Sequence, residues 1–277
     1  MNNLKKISLL NLLLSELKSL DLFPVIGTET EFYLLPEDNN LQDSLWQADK
    51  LQLNLIIEKE KGLNQFEIRT NHTRDISKAI KEVLEIRKLI NNQAMTQNMK
   101  ADFSAKPFQE QPGNAFHVHL HLENSKGNNL FIKNGGLESE FLLYSIGGLC
   151  ATMEEAMVFF APYKDAYARY IGNLLESPSK ICWGGNNRSA AIRIPLDQKF
   201  NRRLEHRVSC SDSNPAEVIC AIFYGVLRGI KEKRLPPEKL FGNAFLDQYD
   251  YPSLPKDYAQ AKKLFENSDL KKFITDL

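Results

Sequence analysis

Glu29 and Glu31 stand two residues apart in V-I-G-T-E-T-E-F-Y-L-L, a stretch otherwise rich in Val, Ile, Phe, Tyr and Leu. On a strand both carboxylates face the same way. Like charges held so close repel and raise a pKa unless a cation lies between them, and a multivalent metal ion is the usual solution. From E-x-E alone, an exposed edge strand with solvated glutamates is the commoner outcome.

A second group lies between Trp183 and Arg207, where Arg188, Arg193, Arg202, Arg203 and Arg207 surround Glu205 on two strand-like segments. The planar, permanently charged guanidinium suits phosphate and carboxylate better than an ammonium does. Glu205 is two residues from both Arg203 and Arg207, so on a strand the three share one face. A buried face of that kind needs an anionic or metal partner. For Arg202 an ordinary surface ion pair is the preferred reading.

The third group is H-x-H-x-H. From Ala115 to Glu123 the chain alternates, with His117, His119 and His121 on one face and Phe116, Val118, Leu120 and Leu122 on the other. One face belongs to the core and the other to a site. Three histidines on one face make a zinc protein a possible class, although a single histidine is more often structural.

The elements that must position these groups follow from periodicity. Leu4–Leu22 reads as an amphipathic helix packed on the domain; it lacks a small-residue cleavage site and its apolar run is broken by charges. Strands are expected over 25–35, 64–70, 115–123, 189–194 and 204–208. Long helices are expected over 75–99, capped by Asp75 or Thr73, and over 137–160, where Gly147-Gly148 admits a close neighbour. A helix over 215–230 is capped by Asn214, and two short helices lie near 257–275. The sum is α+β, one domain over 1–277, mainly antiparallel sheet with helices packed on one side.

The 277 residues suffice for a sizeable core. Lys and Arg total 35 and Asp and Glu total 35, so no overall basic field favours nucleic acid or an anionic membrane. No run approaches the roughly 20 apolar residues of a membrane span. Cys150, Cys182, Cys210 and Cys220 show no C-x-x-C spacing, which reads as reduced thiols in a cytoplasmic protein.

N-R-S-A-A-I-R-I-P at 187–195 and R-R-L-E-H-R at 202–207 resemble signature stretches of the catalytic domain of the glutamine synthetase superfamily. G-T-E-T-E-F at 27–32, E-K-G-L-N-Q-F-E-I at 60–68 and K-P-F-Q-E-Q-P-G-N-A-F-H-V-H at 106–119 resemble it too, in the family's order. The resemblance implies an ATP-dependent carboxylate-amine ligase that makes a γ-glutamyl amide from glutamate and ammonium or an amine, through an acyl phosphate. It implies Mg²⁺ or Mn²⁺ as cofactor and ATP as co-substrate.

Residue by residue, the resemblance implies one metal site of Glu31, Glu60 and Glu67 and another of Glu29, His117 and Glu205. Gly113, Arg169 and Arg207 would meet the bound glutamate, and His119 the region between substrate and phosphate. Arg188, Arg193 and Arg203 would hold ATP phosphates and the transferred phosphoryl group. Glu176 matches a flap glutamate that helps deprotonate the amine, with the alignment slipping by one residue. His121 departs from the family's small hydroxyl residue. G-N-A-F at 242–245 and L-P-K-D-Y-A-Q-A at 254–261 look more like the γ-glutamyl-amine ligase branch than the ammonium-using one.

Family members usually carry a β-grasp domain before the first helix, and the 31–60 segment is shorter here than in typical members. The expectations that follow are a homo-oligomer smaller than the family's rings, with a dimer as the expected form, and a separate chain supplying the missing domain. The alternative is a catalytically impaired remnant that binds nucleotide or a partner chain.

Overall fold

The computed structural model describes residues 1, 3–36, 57–133, 138–171, 177–196 and 201–276. The chain begins with helix α1 (Asn3–Ser19), followed by β1 (Phe23–Pro36), β2 (Ile57–Lys59), β3 (Gln65–Arg69), α2 (Ile76–Met95), β4 (Met99–Asp102) and β5 (Phe116–Glu123). Next come α3 (Glu140–Phe160), a 3₁₀ turn (Asp165–Tyr170), β6 (Trp183–Gly184), β7 (Ile192–Arg193), β8 (Leu204–His206), α4 (Pro215–Glu232), α5 (Tyr258–Glu266) and α6 (Asp269–Thr275).

The strands form one open sheet in the order β2-β3-β1-β5-β8-β7-β6, with β4 pairing the far end of β1. All pairings are antiparallel except β6 with β7. The expected architecture is therefore the observed one. The long, apolar β1 can serve three neighbours because its 14 residues are shared: one end pairs β5, the middle β3 and the other end β4.

Period-two alternation decides which face is which. Ile26, Val118, Leu120 and Leu122 join α1, α3 and α4 in the main core, while Phe32, Phe66 and Ile68 pack on α2. The odd-numbered partners on β1, β3 and β5 are thereby turned to the opposite face, away from the helices.

Helix ends largely follow the sequence. Asp75 accepts from the Lys78 amide at the start of α2, and Asn214 accepts from the Ala216 and Glu217 amides at the start of α4. The expectation that α2 reaches residue 99 is corrected: the helix ends at Met95, and Asn98 takes a left-handed φ of 55° before β4. The strand expected over 189–194 shrinks to Ile192–Arg193, because Asn187 to Ser189 form a turn closed by the Asn187 side chain.

Helix α3 is long and apolar enough to cross a membrane by length and composition, but 61% of its apolar window is buried inside the protein. It packs between α4 and α5, and it reaches α4 backbone to backbone. A Cβ on Gly148 would lie 2.0 Å from Gly225 O.

Candidate functional site

The sheet register assembles the site. Glu31 faces Glu67; Glu29 faces Arg69 on one side and His117 on the other; Gly27 faces His119, which in turn faces Glu205, and Glu205 faces Arg193. Five strands thus bring onto one face most of the groups that the sequence distributes between Gly27 and Glu205. Gly27 leaves room there for the His72 ring, which a Cβ would approach to 2.2 Å.

Ligand atoms of Glu31, Glu60 and Glu67 lie within 4.8 Å of one another, as do those of Glu29, Glu67 and His117, and those of Glu29, His119 and Glu205. Oxygen-rich groups of this spacing fit a hard divalent ion. Glu67 belongs to two of the groups, so it stands where two ions would share a carboxylate. The expected set Glu29, His117 and Glu205 also converges: His117 Nδ1 is 3.3 Å from Glu29 Oε2 and 3.4 Å from Glu205 Oε1. The three histidines do not gather on one centre. Each metal-type group among the described residues contains at most one of them, and His121 turns to Glu123 at 3.2 Å.

Electrostatics single out the same carboxylates. Burial, together with the charges of Glu29 and Glu31, pushes Glu67 up to about 9, against the pull of Arg69. Burial and crowding of this kind disfavour a bare carboxylate, and a divalent ion among Glu29, Glu31 and Glu67 would offset both. Burial also works to raise Glu29, but hydrogen bonds and charges from His117 and His119 hold it well below the usual carboxylate range. Glu205 is fully buried; burial works to raise it, yet Arg207, His117, His119 and Arg193 bring it down to about 2.

The arginines divide. Arg193 reaches Glu205 Oε2 at 2.6 Å and Arg207 reaches Oε1 at 2.7 Å, so both gather on one carboxylate. Arg203 donates to His119 Nδ1 at 2.9 Å. With Glu29, Arg69, Thr70 and His72 it lines a cavity of about 110 Å³. Arg202 lies apart, paired with Glu138 at 3.4 Å, as its sequence reading has it. Arg188 is exposed on the turn before β7 and makes no ion pair among the described residues.

A smaller recess lies beside the carboxylates, lined by Glu31, Glu60, Gln65, Gly113, His117 and Arg169. Gly113 is fixed by Gln65, which donates to its carbonyl at 3.1 Å; a Cβ there would meet Ala105 O at 2.5 Å and Arg169 Cγ at 2.8 Å. Arg169 is buried, with Nη1 donating to Val208 O at 2.7 Å and Nη2 to Arg207 O at 3.2 Å. Its Nε has no hydrogen-bond partner among the described residues. Glu176 lies outside the described residues.

Sequence reasoning missed Arg69, Glu58 and His72. Arg69 follows Glu67 by two in Q-F-E-I-R, so the alternation that turned Glu67 inward also placed Arg69 beside it. His72 lies beyond the end of β3, where no periodicity points to it.

The sequence model described as glutamine synthetase, catalytic domain, matches residues 52–276. The chain belongs to the glutamine synthetase family. Gamma-glutamylputrescine synthetase PuuA of Escherichia coli (strain K12) is 30% identical over 302 residues, covering 96% of this chain and 64% of PuuA. Gamma-glutamylethanolamide synthetase GlnA4 of Streptomyces coelicolor is 30% identical over 179 residues, covering 65% of this chain and 37% of GlnA4. The chain therefore spans less than two thirds of these relatives. Among solved structures, a GmaS–ADP complex superposes with a TM-score of 0.84 at 23% identity, covering 96% of this chain and 68% of that one. That likeness establishes the shared fold.

Proposed function

We propose that this chain is a single catalytic domain of an ATP-dependent ligase that joins the γ-carboxylate of glutamate to an amine. The observation that carries the reading is the row on one sheet face: carboxylate groups sharing Glu67 at one end, Arg193, Arg203 and Arg207 at the other, and His117 and His119 between. The family match and the named amine ligases among the relatives support it.

In this reading Glu29, Glu31, Glu60, Glu67, His117 and Glu205 hold Mg²⁺ or Mn²⁺, which supplies neutralisation of charge on phosphoryl oxygens. Arg203 and Arg193 face the nucleotide phosphates, with Arg188 approaching from its exposed turn. Gly113, Arg169, Arg207 and His119 position glutamate. Its γ-carboxylate oxygen bonds to the terminal phosphorus of ATP while the bond to ADP breaks. The amine then attacks the acyl carbon, phosphate leaves, and Glu176 takes the proton. Fixed positive groups aimed at the phosphoryl oxygens provide most of the stabilisation such transfers need. The free thiols of Cys150, Cys182, Cys210 and Cys220 support a cytoplasmic setting, and the family's habit supports a homo-oligomer.

Phosphate release from ATP with glutamate and ammonium, putrescine, ethanolamine or isopropylamine tests the reading. Release that depends on both glutamate and one of these amines is expected. Mg²⁺-ATP binding without release for any of them would instead favour a nucleotide-binding remnant.

A further inference from the structure

Arg69 brings a positive charge of the chain's own into the carboxylate cluster. Its Nε lies 2.9 Å from Glu67 Oε1 and 3.2 Å from Glu29 Oε1, and its Nη2 is 2.8 Å from the same Glu67 oxygen. These are lone pairs that a metal ion held by Glu29, Glu67 and His117 would draw on. Guanidinium and ion cannot both have them at contact distance.

The other half of the arrangement lies outside the cluster. Nη2 is also 3.0 Å from Glu58 Oε2, on strand β2 at the sheet edge. The Arg69 and Glu58 side chains are 44% and 49% exposed, whereas Glu67 is 3% exposed. The flexible stem of Arg69 therefore has the buried Glu67 and the half-buried Glu29 to one side and one solvated carboxylate to the other. Moving from the first to the second frees Glu29 Oε1 and Glu67 Oε1 without leaving the guanidinium unpaired.

We propose that Arg69 is a tethered cation that competes with a divalent metal ion for Glu29 and Glu67, and that Glu58 is the carboxylate to which it retreats when metal enters. The proposal rests on the reading of this cluster as a metal site. It assigns the competition to the Glu29, Glu67 and His117 group, in which Arg69 touches two of the three ligands; in the Glu31, Glu60 and Glu67 group the ligand it touches is Glu67. A full charge at contact distance in a partly buried site is enough for an effect of about tenfold on ion affinity.

Two variants distinguish the proposal from a purely structural salt bridge, because they shift metal binding in opposite directions. Arg69→Met removes the competitor, so the weaker of the Mn²⁺ sites should tighten by about tenfold or more. Glu58→Gln removes the retreat, so the same site should weaken. Free Mn²⁺ followed by electron paramagnetic resonance during titration of the whole chain gives both affinities, independently of activity. In EDTA, Arg69→Met should melt below the wild type, and Mn²⁺ should raise its melting temperature by more than it raises the wild type's.

Equal affinities in wild type and Arg69→Met would overturn the competition while leaving the metal reading intact. Absence of Mn²⁺ binding in every form would overturn both. Should Arg69→Met fail to fold even with Mn²⁺, the exposed Glu58→Gln decides: unchanged or tighter Mn²⁺ binding overturns the proposal, and weaker binding supports it.

Discussion

Arg203 donates from Nε to His119 Nδ1 at 2.9 Å, and the opposite ring nitrogen of His119 lies 2.9 Å from Glu29 Oε1. An arginine N–H can only donate, so Nδ1 is the accepting nitrogen and the ring proton sits on Nε2, which is near the carboxylate but has no well-aligned hydrogen bond among the described residues. Arg203 thus sets the tautomer of a histidine between the arginines around Glu205 and the metal-type cluster. Arg203→Met should let both tautomers populate, visible as a change in the His119 ring nitrogen shifts by NMR. Loss of such an orienting partner is expected to lower glutamate-dependent phosphate release by about 10- to 100-fold. An unchanged ring spectrum would show that the sheet alone fixes the tautomer.

Glu67 should show opposite effects on stability and on ion binding. Because burial and its acidic neighbours push it up to about 9, the metal-free protein holds at neutral pH a proton that the unfolded chain has released, so Glu67→Gln, which has no proton to hold, should raise the melting temperature in EDTA at about pH 7. The same change removes the carboxylate shared by two ligand groups, so Mn²⁺ affinity should fall by at least about 100-fold. Calorimetric titration and a thermal scan on the same sample check both. Strong destabilisation in EDTA would mean that the contact to Arg69 outweighs the crowding of carboxylates.

The site was legible wherever a strand imposed period two. Glu29, Glu31, Glu67, His117, His119 and Glu205 were readable because each alternates with core residues such as Phe32, Phe66, Val118 and Leu204, and the sheet turns them to one face. Glu60, Gly113 and Arg169 carry no such local signal and stood on the family resemblance alone. Arg69 was overlooked because a cation next to an acid reads as a solvated pair; only the register, which sets Glu29 opposite it, shows the second carboxylate. The β4 strand was also missed. Its pairing depends on the far end of β1, a long-range relation that the short segment Met99–Asp102 does not announce.

Gly148 permits the contact that anchors the sheet's helical cover. A Cβ there would lie 2.0 Å from Gly225 O and 2.6 Å from Gly229 Cα, both backbone atoms of α4 that no side-chain rotation can move aside. Gly148→Ala should therefore push α3 and α4 apart and cost roughly 1–3 kcal/mol, measured by urea unfolding. The reverse outcome, a gain from better helix propensity, would require the two helices to separate freely, which the dense packing of Leu149, Met153, Ile222 and Val226 opposes.

Glu155 on α3 offers a pH test remote from the site. Burial and the charge of Asp269 raise its carboxyl above the usual range, and Arg228, at 3.8 Å, only partly offsets them. A carboxyl raised in the folded state keeps its proton where the unfolded chain has already lost it. The stability this contributes is complete below the ordinary glutamate value of about 4.3 and is lost as pH rises through the folded value. Glutamine has no proton to lose, so Glu155→Gln should match the wild type near pH 4 and become progressively more stable than it as pH rises, levelling off above the folded value. Urea unfolding at a series of pH values measures the difference. A variant less stable than wild type at pH 7 would show instead that the ion pair with Arg228 prevails over burial.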